Sequence, residues 1–362
     1  MGDIANITGG YAFKSDTLNS IGGKYQVVKM GNLYQNQLDL HRSPSYTNIL
    51  TSKAENVILR KGDIAITLTG TNNKRDFGYT YIFNDEKNLL LNQRCGLIRT
   101  KGNPYFLSCL LKTYAFLNQF FESATGGTGN QANVSTKAME MFSVNTPSLK
   151  EQKKIGELMA LLDERIATQN KIIEDLKKLK SAISEKLFMG INGDIVMLSE
   201  ICDIVKGKQI NGEFLSDSGI YYVMNGGTEP SGYYNDYNVD ANTISISEGG
   251  NSCGYVQFNT VPFWCGGHCY SIKNVTNDVD NLYLYHYLKS NEDAIMKLRI
   301  GSGLPNIQKK DLGAFKVKIP TLEQQQKIST FLSSLERKAE IDEYTLNALQ
   351  KEKQYLLRQM FI

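Results

Sequence analysis

Apolar residues along this chain follow two kinds of pattern, and each is met twice. In residues 1–147 they form short runs, rich in β-branched and aromatic types, that end at Gly, Asn or Asp. Such runs at 25–30, 63–68 and 94–99 predict strands. From Pro104 the spacing lengthens, and one helix is predicted over 104–121 with proline in its first turn. Residues 191–319 repeat the recipe, with strands predicted at 243–247 and 269–273 and a helix near 281–290. Residues 150–188 and 323–361 differ in kind. They lack proline, are rich in Lys, Glu, Gln and Leu, and predict two long helices.

The two halves share letters as well as patterns. Pro147-Ser148-Leu149-Lys150-Glu151-Gln152-Lys153-Lys154-Ile155 returns 173 residues later as Pro320-Thr321-Leu322-Glu323-Gln324-Gln325-Gln326-Lys327-Ile328. The offset holds back to Asn133-Val134 and Asn306-Ile307, and forward to Phe188 and Phe361. The starts correspond at offset 197, residues 2–7 with 199–204. On each helix one apolar stripe emerges: Ile155, Leu158, Leu162, Ile166, Ile173, Leu176, Ile183 and Leu187 on the first, and Ile328, Phe331, Leu335, Ala339, Leu346, Leu349, Leu356 and Met360 on the second. Steps of three, four and seven keep a stripe on one face and suit a coiled-coil seam.

The expected fold is therefore α+β. Two β-rich domains, 1–147 and 191–319, are separated by two long spacer helices, 148–190 and 320–362, that pair as an antiparallel coiled coil with pseudo-twofold symmetry. About 38 helical residues span roughly 57 Å. A period this long marks a domain duplication and not a solenoid.

Composition narrows the setting. No apolar run approaches 18 residues and the start at Met1 shows no leader pattern, so a cytoplasmic location is expected. The six cysteines lack the spacing of a disulfide framework and read as reduced thiols. Net charge is +3, but residues 1–149 carry 15 basic against 10 acidic side chains and residues 189–319 carry 10 against 14. A lone DNA binder is usually more basic, because phosphate neutralisation supplies much of its affinity.

The repeated Pro-x-Leu-x-x-Gln-x-Lys-Ile entrance, behind the string Gly301-Ser302-Gly303-Leu304-Pro305-Asn306-Ile307, resembles the specificity subunits of type I restriction-modification enzymes. Residues 246–254 (Ile-Ser-Glu-Gly-Gly-Asn-Ser-Cys-Gly) and 263–272 (Phe-Trp-Cys-Gly-Gly-His-Cys-Tyr-Ser-Ile) extend the likeness, which covers nearly the whole chain. The resemblance implies two target recognition domains, each reading one half of a split site in double-stranded DNA. It implies two methyltransferase subunits docked on the helices, and two restriction subunits in a full restriction assembly. S-adenosylmethionine would belong to the methyltransferase subunits, ATP and Mg to the restriction subunits, and no cofactor to this chain. The nucleoid is the implied place of action. The family also has a short lead-in before the first domain, whereas Met1 here falls almost on the first shared strand.

Guanine edges call for Arg or Lys, adenine edges for Asn or Gln. Candidates in the first domain are Lys14, Lys29, Asn32, Asn72, Asn73, Lys74, Arg75, Gln93 and Arg94. In the second they are Lys206, Lys208, Gln209, Asn225, Asn251, Ser252 and His268. For each the competing reading is a solvated loop residue. The Gly-rich loops at 126–130 and 301–303 fit either backbone contact with phosphates or a hinge between domain and helix. Catalysis finds no footing: there is no phosphate-binding loop, no Pro-Pro pair and no paired carboxylates. Cys253, Cys265, His268 and Cys269 have poor metal spacing; the three cysteines read as buried thiols, with no metal site expected. The alternative to DNA recognition is a coiled-coil scaffold with two ligand-binding β-rich domains.

Overall fold

The computed structural model of the chain describes residues 1–84, 86–126, 131–301, 303 and 305–361, with the backbone only for Asn72. It divides into two compact units, Met1–Gln169 with Thr345–Ile362, and Asn170–Tyr344. Each unit thus holds one β-rich block and a part of both long helices.

Unit 1 is built on strands β1 (Ala5–Gly9), β2 (Tyr25–Val28), β3 (Tyr46–Thr47), β4 (Ile64–Thr67), β5 (Thr80–Ile82), β6 (Leu89–Leu91) and β7 (Cys95–Thr100). The main sheet is antiparallel in the order β1-β7-β4-β5, with Ala5 opposite Thr100 and Cys95 opposite Thr67. A smaller sheet runs β3-β2-β6, in which β2 and β6 are parallel. Period-two alternation between two covered faces explains why β4 is buried throughout. Ile64 and Ile66 face helices α1 (Pro104–Leu110) and α2 (Tyr114–Glu122), where Phe106, Leu107, Phe116 and Phe120 fill the core. Ala65 faces the other way, toward Val27, Val28 and Leu90 of the smaller sheet. Both faces of the main sheet are covered.

The single helix predicted over 104–121 is two helices. Thr113 interrupts it: its hydroxyl donates to the Leu110 carbonyl at 2.7 Å and accepts the Phe116 N–H at 3.3 Å, so one residue closes α1 and caps α2. Apolar spacing continues across the break, which hides it from a periodicity count.

The first long helix, α3, spans Leu149–Gly190. Unit 2 follows with β8 (Asp194–Met197), β9 (Asp203–Lys206), β10 (Tyr221–Met224), β11 (Tyr233–Tyr234), β12 (Thr243–Ser247), β13 (Val256–Asn259), β14 (Trp264–Cys265), β15 (Cys269–Lys273), helix α4 (Asn281–Ser290), β16 (Lys316–Ile319) and the second long helix α5 (Leu322–Met360). The topology of unit 1 returns. A main antiparallel sheet runs β9-β15-β12-β13, and a smaller one runs β11-β10-β14 with β10 and β14 parallel. Ile244, Ile246 and Ile272 face Tyr283, Leu284 and Leu288 of α4. Cys265 and Cys269 pack with Met224, Val239 and Phe263 on the far side.

The shared Gln of the repeated entrance has a physical role. In unit 2 the Gln325 amide donates to the Pro320 carbonyl at 2.9 Å and to the Asp278 carbonyl at 3.0 Å, and its oxygen accepts the Asp280 N–H at 2.8 Å. Asp280 in turn caps α4 by accepting the Tyr283 N–H at 2.7 Å. Unit 1 repeats the device: Gln152 donates to the Pro147 carbonyl at 3.0 Å, and Asn103 caps α1 by accepting the Phe106 N–H at 2.9 Å. Both glutamines are buried. They fasten the globular block to the start of its helix.

Within each unit the two long helices run antiparallel. In unit 2 Lys177 pairs with Glu343 at 2.6 Å, and Lys180, further along α3, pairs with Glu336, earlier on α5. In unit 1 Lys353 pairs with Asp163, while Ile155 and Phe361 both pack on the core. Two of the predicted seam positions are wrong, and they are equivalent ones. Leu158 is 39% and Phe331 45% exposed, whereas Met159 and Leu332, one residue on, are fully buried. Near its start each helix must cover its own globular block as well as the other helix. The buried arc there is Gln152, Gly156 and Met159, or Gln325, Ser329 and Leu332, one helical step away from the coiled-coil stripe. Among the described residues no helix is long and apolar enough to cross a membrane.

Candidate nucleic-acid interface

In unit 2 most of the predicted residues meet at one end of the two sheets. Four chain segments are tied together there by backbone hydrogen bonds. Gly207 N–H donates to the Cys269 carbonyl at 2.9 Å and Lys208 N–H to the Cys265 carbonyl at 2.9 Å, which lays the loop after β9 against the turn between β14 and β15. Gly266 N–H donates to the Met224 carbonyl at 2.8 Å, and Glu248 N–H to the His268 carbonyl at 2.9 Å. Lys206, Lys208, Gln209, Asn225 and His268 therefore sit around one turn, with Asn251 and Ser252 on the loop after β12. Close approach explains Gly207: a Cβ there would lie 2.2 Å from the Gly266 carbonyl oxygen.

Unit 1 builds the same end with other side chains. Gly10 N–H donates to the Cys95 carbonyl at 2.8 Å and Tyr11 N–H to the Leu91 carbonyl at 2.9 Å. Asn92 N–H donates to the Val28 carbonyl at 3.0 Å, and Leu68 N–H to the Arg94 carbonyl at 3.0 Å. A Cβ on Gly10 would lie 2.1 Å from the Asn92 carbonyl oxygen. The structural pairs that follow are Lys29 with Asn225, Arg94 with His268, and Leu68 with Glu248. The frame is common and the chemistry differs at each of these positions.

The predicted residues divide by what they already hold. Gln93, Arg94, Asn73, Lys74, Lys14, Lys208, Asn251 and His268 are exposed. Arg75 is exposed in the left-handed region (φ 47°), with its guanidinium 5.1 Å from the Phe121 ring centroid. Lys29 is half-buried, its ammonium donating to the Ser45 hydroxyl at 2.8 Å. Asn32 is a correction. It is buried; its amide donates to the carbonyls of Asp39 and Arg42 (2.9 and 2.7 Å), and its oxygen accepts the Lys29 N–H at 2.9 Å. A side chain with those bonds made shapes the 29–42 loop and has nothing left for a base. Asn225 is half-buried and pins the turn, its oxygen accepting the His268 N–H at 3.1 Å. Gln209 is exposed, bonding the Ile210 carbonyl at 3.3 Å, and Ser252 is half-buried. The side chain of Asn72 lies outside the described residues, as do 127–130 and Ser302 of the two Gly-rich loops. Lys14 lies on the turn that follows Tyr11 and Phe13, and among the described residues no hydrogen bond draws it to the Lys29–Arg94 end.

Glu248 is the residue that sequence reasoning passed over. It is 6% exposed, and its Oε1 takes the Lys206 ammonium at 2.7 Å and the Tyr270 hydroxyl at 3.1 Å, while Oε2 has no partner among the described residues. The Tyr270 hydroxyl is pushed up, first by burial and then by the Glu248 charge. In unit 1 the same three places hold Leu68, Gly9 and Gly96, and the Leu68 side chain covers Gly96, 3.3 Å from where its Cβ would be. An acidic letter between a strand and Gly249-Gly250 was the available signal. Lys206 is therefore held by a carboxylate and is not a free cation.

The thiols are not poised for chemistry. Cys269 is held well above its ordinary value, first by a hydrogen bond with Cys265 and then by burial; burial raises Cys253 too and pushes Cys95 up to about 12. Among the described residues no three His, Cys, Asp or Glu side chains could hold a metal ion together. His286, buried beneath α5, has its ring nitrogen 2.9 Å from the Ser333 hydroxyl, and burial lowers it to about 4.

Comparison with known proteins adds an independent finding. Residues 1–178 and 192–351 match the profile of the type I restriction modification DNA specificity domain. The MjaX type I restriction enzyme specificity subunit named from Methanocaldococcus jannaschii is 24% identical over 370 residues, 92% of this chain and 85% of that one. A type I specificity subunit named from Mycoplasma pneumoniae is 35% identical over 116 residues, 32% of this chain and 31% of that one. The crystal structure of the type I restriction-modification system S subunit from M. genitalium shares the fold, with a TM-score of 0.72 at 19% identity, covering 100% of this chain and 94% of that one.

Proposed function

Because the chain belongs to the type I restriction modification DNA specificity family, we propose that its two units read the two unlike halves of one split DNA target through the loop ends described above. It is a specificity subunit, the non-catalytic part of a type I restriction-modification assembly, acting with DNA and methyltransferase subunits. The observation that carries the half-site reading is the repeat itself. Equivalent backbone hydrogen bonds hold Gly10 and Gly207, Asn92 and Gly266, Leu68 and Glu248 in the same frame, yet side chains at matching places differ. A duplicated scaffold with divergent loops is what two different half-sites require, since bases are told apart by side-chain edges and phosphates are not.

Within this reading Gln93 and Arg94 serve the first half-site, and Lys208 and His268 the second. Lys29 and Asn225 stand at equivalent places behind them. Lys206 assists only as far as Glu248 releases it. Two methyltransferase subunits, one per copy of the duplicated entrance, dock on the helices, and the equivalent exposed residues Leu158 and Phe331 belong to those surfaces. The long helices act as the spacer that sets the gap between half-sites. Two restriction subunits complete the assembly where cleavage occurs.

The test is reconstitution with cognate methyltransferase subunits. The complex should bind one split sequence tightly, and Lys208→Ala with His268→Ala should weaken that site about 10-fold or more, each direct base contact being worth ~1–3 kcal/mol. Binding that ignores sequence would remove the reading.

A further inference from the structure

At the end of β9 a cation and an acid are set against each other. Lys206, the last residue of β9, stands opposite Tyr270 on β15. Its ammonium donates to Glu248 Oε1 at 2.7 Å, and the Tyr270 hydroxyl donates to the same oxygen at 3.1 Å. The two charged partners differ in exposure: the Lys206 side chain is 54% and the Glu248 side chain 7% exposed. An ammonium carries three N–H groups. Among the described residues this one makes no other hydrogen bond, so a single N–H is spent and the rest remain.

Glu248 is fixed on both sides. Its N–H donates to the His268 carbonyl at 2.9 Å, and its carbonyl accepts the Ile307 N–H at 2.8 Å and the Cys253 thiol at 2.9 Å. Oε2 is buried with no partner among the described residues. Burial has stripped that carboxylate of water, so it would lose heavily if its cation left. The ammonium is held at one point, whereas a free lysine swings on a flexible stem. Unit 1 shows that the three residues come and go as a set. Gly9 stands opposite Gly96 as Lys206 stands opposite Tyr270, and Leu68 takes the place of Glu248.

We infer that Glu248 is a positioning residue: it makes Lys206 the reader of a guanine edge in the half-site of unit 2 and keeps it off the phosphates. This rests on the half-site reading above and names the base that one side chain of it takes. What Glu248 leaves to Lys206 is its spare N–H groups and not its charge. Donors held at a fixed point suit the O6 and N7 acceptors of guanine, whereas adenine sets its N6 amino group against them. A cation already matched by a carboxylate releases no counterion from DNA. The contact therefore adds discrimination without adding salt dependence.

The experiment uses the full chain reconstituted with its methyltransferase subunits, on the split target and on copies with each guanine exchanged in turn for adenine. Binding is measured from about 50 to about 200 mM salt. Lys206→Met should lose about 10-fold in discrimination at one guanine and keep the parent's salt slope. That guanine should lie in the half relaxed by Lys208→Ala with His268→Ala. Glu248→Gln should blur the same guanine and steepen the slope by about 0.9, as the uncovered ammonium turns to a phosphate. The double variant, which removes acid and cation together, should return to the parent slope without the guanine preference, and it reads that preference even where Lys206→Met does not assemble. A slope made shallower by about 0.9 in Lys206→Met, with equal loss on every sequence, would make Lys206 a phosphate contact and overturn the inference. So would a half-site of unit 2 with no guanine on either strand, or parent-like slope and discrimination in both single variants while the split target is still recognised. A parent complex that ignores sequence would instead remove the half-site reading beneath it.

Discussion

Gln325 shows how much one side chain carries at the junction of block and helix. Its amide, itself fully buried, bridges Pro320, Asp278 and Asp280. Gln325→Leu should cost about 2–4 kcal/mol, because a half-buried N–H and two carbonyls lose their partners at a buried side chain, read as a fall in urea midpoint at unchanged slope. The letter was legible, since it stands at the same place in both entrances. Its task was not, because the partners lie 45 and 47 residues away. The same holds for Asn32, whose type fits a base reader and whose bonds make it a loop brace. His286 gives a pH test. Its imidazole has an ordinary value near 6.5 and a folded one of about 4, lowered first by burial, with Glu336, Lys180 and Asp280 as the charges around it. Between those values the unfolded chain binds the extra proton and the folded chain does not. The contribution of His286 is therefore complete above about pH 6.5 and is lost as pH falls toward 4, by up to ~3 kcal/mol. Urea titrations across that range should show His286→Gln losing less stability than the parent chain.

At the scale of elements, apolar runs located strands and helices well inside the globular blocks, and periodicity misled where two bodies share a helix. Strands 243–247 and 269–273 and the helix 281–290 agree with the structure to the residue. The break at Thr113 and the turn of the buried arc from Leu158 to Met159 do not show in apolar spacing. Thr113 bonds backbone in both directions, and Met159 is buried by its own globular block. Met159→Ala and Leu332→Ala should each cost about 2–5 kcal/mol in unfolding free energy. Leu158→Asp with Phe331→Asp should change it by less than about 0.5 kcal/mol each, while weakening assembly with methyltransferase subunits in size-exclusion runs. Unchanged assembly would remove these residues from the docking surface.

For the molecule as a whole, the duplication was the most legible feature, because it is written in identical letters at one offset. The proposed reading end was half legible: Gln93-Arg94 and His268 could be picked as exposed loop residues, but Glu248 and its hold on Lys206 required the fold. Helices that act as a spacer predict that seven residues, two turns, inserted in both should widen the gap in the target and leave the half-sites alone. The division of labour between units is tested most directly by sequencing methylated DNA from cells carrying the chain with its methyltransferase subunits, beside cells carrying Lys208→Ala and His268→Ala. One split motif should be modified in the first, and only one of its halves should be relaxed in the second. Loss of definition in both halves together, or modification with no split motif at all, would contradict the account.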